Sequence, residues 1–257
     1  MQTYIPHHFY QLLVHQMPTR LTPSVILDVG CGEGWMTREL SRHHPEAKVV
    51  GIDRNYKAIQ KCRYLAATEN LPVDYQVANI DSHRFATDER FDLITCHNVL
   101  AHCQNPKQVL RKLIDQLQLE GQLSLVIENP AAKSIEHSFR QQGIDWTRIA
   151  KDPAKLLDWF RPFQELVDQT ITKRTDQRVL LPLLAIESFL NEWEDITYRA
   201  RGLSVFMDYC ENDEVLDSEQ LKLEEELSGT AEYVKYSYFY HVVVQKTILE
   251  VPVHRTN

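Results

Sequence analysis

The sequence predicts an α/β fold: a Rossmann-like, seven-stranded, mostly parallel sheet with helices on both faces and a helical insertion after the fifth strand. Three observations carry this expectation. Apolar, β-branched runs alternate with helical stripes five times before residue 129, the pattern of strand–helix–strand units joined by right-handed crossovers. The first run, Val25-Ile26-Leu27-Asp28-Val29, breaks into Gly30-Cys31-Gly32-Glu33-Gly34, a glycine corner that lets the main chain come close to a ligand. The alternation then stops at Asn129-Pro130, and further strands return only near the C-terminus.

Phe9, Leu12, Leu13 and Gln16 form a weak helical stripe that Pro18 and Pro23 end, a lead-in (1–23) expected to lie over the ligand. After the glycine corner, residues 35–42 read as a helix and 48–53 as a second strand. That strand ends on Asp53, 23 positions after Gly30. A carboxylate there suits the paired hydroxyls of a ribose; the alternative is a cap on helix 55–68, which Asn55 supplies equally well. Residues 74–78 are the third strand, and Asn79 and Ile80 just past it are adenine candidates. Strand four, 91–96, is nearly all apolar, as a strand covered on both faces should be. His97 and Asn98 follow, and His97 is expected to touch cofactor or substrate.

Asn105-Pro106 starts a helix as cap and first-turn proline, and Val109, Leu110, Leu113, Ile114 and Leu117 form its buried stripe, with Gly121 ending it. Strand five is 122–128. Residues 130–182 read as a polar helical insertion with Trp146, Trp159, Phe160, Phe163 and Leu166 as anchors, placed to cover the crevice. Its cluster Lys173, Arg174 and Arg178 is either a solvated face or a contact for an anion. A helix (183–193), strand six (195–206), an acidic helix (219–232) and an antiparallel closing strand (236–247) complete the sheet. The chain thus divides into the lead-in 1–23, a ligand-binding core 24–129, the insertion or lid 130–182 and a C-terminal part 183–257.

Composition narrows the function. The 257 residues are 43% hydrophobic and 25% charged, ordinary for a soluble globular protein. No apolar run approaches the roughly 20 residues of a membrane span, and residues 1–10 lack the pattern of a signal peptide, so a cytoplasmic protein is expected. The five cysteines show no C-x-x-C pair. His97, His102 and Cys103 lack the spacing of a metal site, so no metal is expected. A net charge of −8 argues against a large nucleic-acid footprint while leaving room for a local basic patch. The glycine spacing selects the ligand: the third glycine comes one residue early for a pyrophosphate, which favours S-adenosylmethionine, a cofactor without phosphate.

Asp28-Val-Gly30-Cys-Gly32-Glu-Gly34, Asp53, Asp92-Leu-Ile and Leu119-Glu-Gly121-Gln-Leu together resemble the class I S-adenosylmethionine-dependent methyltransferases over residues 24–128. A narrower likeness is carried by Phe91 to Leu100, Ser124 to Asn129, Gly202-Leu-Ser-Val-Phe206-Met-Asp208-Tyr209 and Tyr240-His-Val-Val-Val. These resemble the bacterial tRNA 5-carboxymethoxyuridine methyltransferases, which esterify a modified wobble uridine. That resemblance implies cofactor contacts at Gly30, Cys31, Asp53, Asn79, Ile80 and His97, to which the glycine corner adds Gly32, and tRNA as partner. The chain departs from the family at Ser204, where the family has a basic residue, and has no evident counterpart of its N-terminal cofactor-binding arginine. For an acceptor carboxylate, positioning matters more than proton transfer. Asn129, Tyr198, Arg201 and Tyr209 are positioning candidates by proximity to these motifs, Arg201 being either a charge partner or a strand-end surface charge. The alternatives are a small-molecule O- or N-methyltransferase and a non-catalytic cofactor-binding module.

Overall fold

The computed structural model describes residues 12–13, 16–17, 22–82, 89–145, 148–149, 152–168, 172–174, 178–205 and 217–248. Seven strands form one sheet: β1 (Val25–Val29), β2 (Lys48–Asp53), β3 (Val73–Val77), β4 (Phe91–His97), β5 (Leu117–Glu128), β8 (Ile196–Leu203) and β9 (Phe239–Lys246). Their order is β3-β2-β1-β4-β5-β9-β8, with the first five parallel and β9 antiparallel to both neighbours. The expected Rossmann-like, mostly parallel sheet is present. Chain order reverses between β1 and β4, and a crevice opens there at the carboxyl ends of the strands.

The sheet faces bury two separate apolar layers. On one, Ile26, Val49, Leu93 and Val126 meet Leu12 and Leu13 of the N-terminal segment, Met36 and Leu40 of α1 (Trp35–His43), and Ile135 and Phe139 of α4 (Ala132–Gln141). On the other, Leu27, Ile94 and Leu125 meet α3 (Pro106–Asp115) and α7 (Leu183–Leu190). Between β2 and β3, α2 (Tyr56–Thr68) begins on the cap foreseen at Asn55, whose side-chain oxygen accepts from the N–H groups of Lys57 and Ala58.

Two local expectations need correcting. The helix after Asn105 ends at Asp115 rather than at Gly121, because the chain turns at Gln116 and enters β5 early. Gly121 lies inside β5 at an irregularity between Phe91 and Leu93, where a Cβ would stand 2.8 Å from the carbonyl oxygens of both Gln118 and Phe91. The stretch 130–182 is not wholly helical: besides α4, α5 (Leu156–Phe160) and α6 (Gln164–Asp168) it holds a two-stranded hairpin, β6 (Lys173–Arg174) with β7 (Val179–Leu180). Nor is it polar throughout, since Phe139, Ile149, Leu156 and Phe160 are fully buried in the first apolar layer. The acidic helix, α8 (Ser218–Ser228), starts on a capping box made by Asp217 and Gln220, and α9 (Ala231–Val234) follows it. Among the described residues, no helix is long and apolar enough to cross a membrane.

Candidate functional site

The glycine corner is built from the backbone outward. Gly30, Gly32 and Gly34 all have positive φ, at 67°, 55° and 72°, and the turn closes through Cys31 N–H to Ile52 O and Gly34 N–H to Cys31 O. A side chain at Gly30 would collide with Val99, so the corner is as close-fitting as its sequence implied. Asp53 braces it from β2: one carboxylate oxygen accepts from Gly32 N–H at 3.0 Å, the other from Asn55 N–H at 2.7 Å. Beneath lies Asp28, buried, accepting from the hydroxyls of Thr37 at 2.6 Å and Thr95 at 2.7 Å. Burial pushes its carboxyl up to about 6 despite both hydroxyl bonds.

Above the corner is a cleft of about 560 Å³, within the range of small-ligand sites. Of the sequence candidates, Gly30, Gly32, Asp53, Asn79, Ile80 and His97 line it. Asn79 accepts from Asp81 N–H, which leaves its amide NH₂ for a ligand. His97 holds Ser124 Oγ at 2.9 Å through Nε2, and burial pushes the imidazole down to about 3, so the ring is neutral. Cys31 is turned the other way, packing against Ile59, Cys62 and Tyr75 behind the corner.

The positioning candidates sit elsewhere. Asn129 is buried and spends its amide on structure, donating to the carbonyls of Lys235 and Ser237 and accepting from Ala131 N–H. Arg201 lies under α8, donating to Ser228 Oγ and Glu225 O. Tyr198 donates to Asn191 Oδ1. None of these three lines the cleft, and Tyr209 falls outside the described residues. Tyr198 and Arg201 are on β8, at the far edge of the sheet beyond β9, whereas Asn129 directly follows β5.

Sequence reasoning gave no ligand role to three further cleft residues. Asn98, at φ 59°, presents a buried Oδ1 to which no described residue donates. Glu128, at the end of β5, is 6% exposed and accepts from Arg178 at 2.6 Å. His102 lines the same cleft; burial first, then the charges of Arg178 and Arg54, hold its imidazole below the ordinary range. The usable signal was topological: Asn98 and Glu128 directly end or follow inner parallel strands, where such sheets bind ligands. Of the basic cluster, Arg178 is in the cleft, while the side chains of Lys173 and Arg174 lie outside the description.

The family model of the methyltransferase domain matches residues 23–180, the stretch that carries the corner, Asp53 and the cleft's strand ends. The chain belongs to this methyltransferase family. Two curated methyltransferases illustrate the likeness. The ubiquinone biosynthesis O-methyltransferase of Citrobacter koseri is 27% identical over 157 residues, 58% of this chain and 61% of that protein. That of Aeromonas salmonicida is 30% identical over 109 residues, 42% and 45% of the two chains. The match thus spans less than two thirds of the length of these relatives. Among solved structures, an S-adenosylmethionine-dependent methyltransferase from Mesorhizobium loti aligns with 92% of this chain and 97% of its own at a TM-score of 0.56 and 16% identity. The plantazolicin methyltransferase BpumL, solved with a triazolic desmethylPZN analog and SAH, aligns with 93% and 84% at 0.55 and 20%. The fold of this methyltransferase is therefore that of the class I, S-adenosylmethionine-dependent enzymes.

The residues present fit that cofactor. A glycine corner that a Cβ would fill, a carboxylate at the end of β2, an amide past β3 and the orphaned Oδ1 of Asn98 are all directed to one cleft.

Proposed function

We propose that this methyltransferase binds S-adenosylmethionine in the cleft between β1, β2 and β4 and methylates a hydroxyl or amine of a small-molecule acceptor held against Glu128 and His102. The observation that carries the acceptor reading is the Glu128–His102–Arg178 group, which offers hydrogen-bond acceptors at the β5 end of the cleft. When bound, the cofactor supplies a methyl group made electrophilic by its sulfonium. Asp53 would take the ribose hydroxyls, Asn79 and Ile80 would hold the adenine, and the corner at Gly30 and Gly32 would admit the main chain close to the amino-acid end.

Glu128 and His102 then orient the acceptor and receive its proton, while Arg178 holds the Glu128 carboxylate in place through its 2.6 Å hydrogen bond. Neutral His102 is available for this at physiological pH because its imidazole is held below the usual range. The curated relatives are ubiquinone biosynthesis O-methyltransferases, which supports a hydroxyl acceptor.

The narrower resemblance would put a wobble-uridine carboxylate in this place. Two features weigh for the small molecule instead: the chain's net charge of −8, and the engagement of Arg178 with Glu128, which leaves its positive charge matched. The test is incubation with methyl-labelled S-adenosylmethionine against a panel of phenols, amines and carboxylic acids and, separately, bulk tRNA. Label on a phenol or amine supports the proposal. Label on tRNA or on a carboxylate overturns the acceptor class and leaves the cofactor reading standing.

A further inference from the structure

A chain of buried polar groups runs through one face of the sheet behind the cleft. Gln16 of the N-terminal segment donates its Nε2 to Gly202 O at 2.8 Å, and its Oε1 lies 3.0 Å from His241 Nδ1. His241 Nε2 lies 2.9 Å from Ser124 Oγ, and Ser124 Oγ lies 2.9 Å from His97 Nε2. Gln16, Ser124 and His241 are all buried, on β5, β9 and the segment packed over them, while His97 lines the cleft.

The direction of every bond in this chain is forced. Gly202 O is a carbonyl and can only accept, so the glutamine nitrogen faces it and Oε1 faces His241. His241 Nδ1 therefore carries the proton. Burial holds both rings near 3, so each carries one proton only, and His241 Nε2 is a bare acceptor. Ser124 has one hydroxyl proton, which goes to His241 Nε2. Giving it instead to Met17 Sδ, 3.3 Å away, would leave two lone pairs facing each other at 2.9 Å. Ser124 Oγ must then accept from His97 Nε2–H. His97 Nδ1 is left without a proton, and no described residue supplies it a partner.

We propose that Gln16, His241 and Ser124 are positioning residues that fix His97 in its Nε2–H tautomer, so that Nδ1 meets the ligand as a hydrogen-bond acceptor for the ammonium of the bound cofactor. The ligand role rests on the function proposed above; the tautomer assignment stands without it. A carboxylate or phosphate at the same place would face a lone pair and be repelled. The relay also ties the N-terminal segment, which contributes Gln16, to the floor of the cleft.

Long-range proton–nitrogen correlation spectra of the protein labelled with ¹⁵N-histidine read the tautomers directly. The wild type should show His97 protonated on Nε2 and His241 on Nδ1, and adding S-adenosylhomocysteine should move the His97 Nδ1 resonance upfield. Ser124→Ala should mix the His97 tautomers and raise the Kd for S-adenosylhomocysteine roughly fivefold, the worth of about one hydrogen bond. Ser124→Thr, which keeps the hydroxyl, should restore both. His97 protonated on Nδ1 in the wild type, an Nδ1 resonance unmoved by the ligand, or a Ser124→Ala protein with wild-type tautomers and Kd would each overturn the proposal. A wild-type protein with the expected tautomers that binds no S-adenosylhomocysteine would sink the cofactor reading and leave the relay intact.

Discussion

The pH behaviour of this protein divides between stability and turnover. Asp28 is fully enclosed, and its carboxyl is raised from 3.8 to about 6, so folding favours its protonated form. Its contribution to stability is full below pH 3.8 and is lost as pH rises through 6, an effect on the order of 3 kcal/mol. His97 and His241, lowered to about 3, act in the opposite sense and lose their contribution as the medium turns acid. The informative quantity is therefore the difference between wild type and Asp28→Asn. In urea unfolding, the variant's stability relative to wild type should increase between pH 4 and 6 and level off above; a difference independent of pH would remove Asp28 as its source. In the proposed function His102 governs turnover. With its imidazole held low, kcat/KM should stay flat down to below pH 6.5 and fall only at more acid pH. His102→Gln should abolish that limb and lower kcat on the order of 100-fold, with binding of S-adenosylhomocysteine unchanged. An unaltered pH profile in the variant would exclude His102 as the proton acceptor.

At the scale of elements, the sequence was most legible where periodicity and turn chemistry agree. β2 (Lys48–Asp53) lies where its apolar run ends on Asp53, and α2 begins on the Asn55 cap, because both signals are local. The end of α3 was misplaced because glycine is usually a helix stop, yet Gly121 serves a strand irregularity where two carbonyl oxygens leave no space for a Cβ. The hairpin β6–β7 is two residues a side, too short to show alternation. In the candidate site, the corner and strand ends were visible as motifs, whereas Glu128 with Arg178 joins residues 50 positions apart and leaves no local pattern. The corner itself yields an element-scale prediction. At Gly34, φ is 72° and a Cβ would stand 2.5 Å from Tyr75 Oη and 2.8 Å from Cys62 Sγ, atoms held by β3 and α2. Gly34→Ala should cost more than about 1 kcal/mol, seen as a lower urea midpoint, whereas an unchanged midpoint would mean that the β1–α1 turn and its neighbours yield freely.

For the molecule as a whole, the sheet order brings residues far apart in sequence to one switch point, and the two apolar layers hold that point rigid from both faces. The N-terminal segment belongs to this construction: Leu12 and Leu13 are buried in one layer, and Gln16 reaches through to His241. Charge is arranged to match, with an overall −8 and a cleft whose Glu128 carboxylate is paired with Arg178. The cleft beside Asp53 is the proposed cofactor site. Isothermal titration with S-adenosylhomocysteine on the wild type and on Asp53→Ala tests it most directly. Binding of one ligand per chain by the wild type is expected, weakened roughly 10- to 100-fold in Asp53→Ala, the range for hydrogen bonds to a charged group. Equal affinity in the two proteins, or no binding by the wild type, would contradict it.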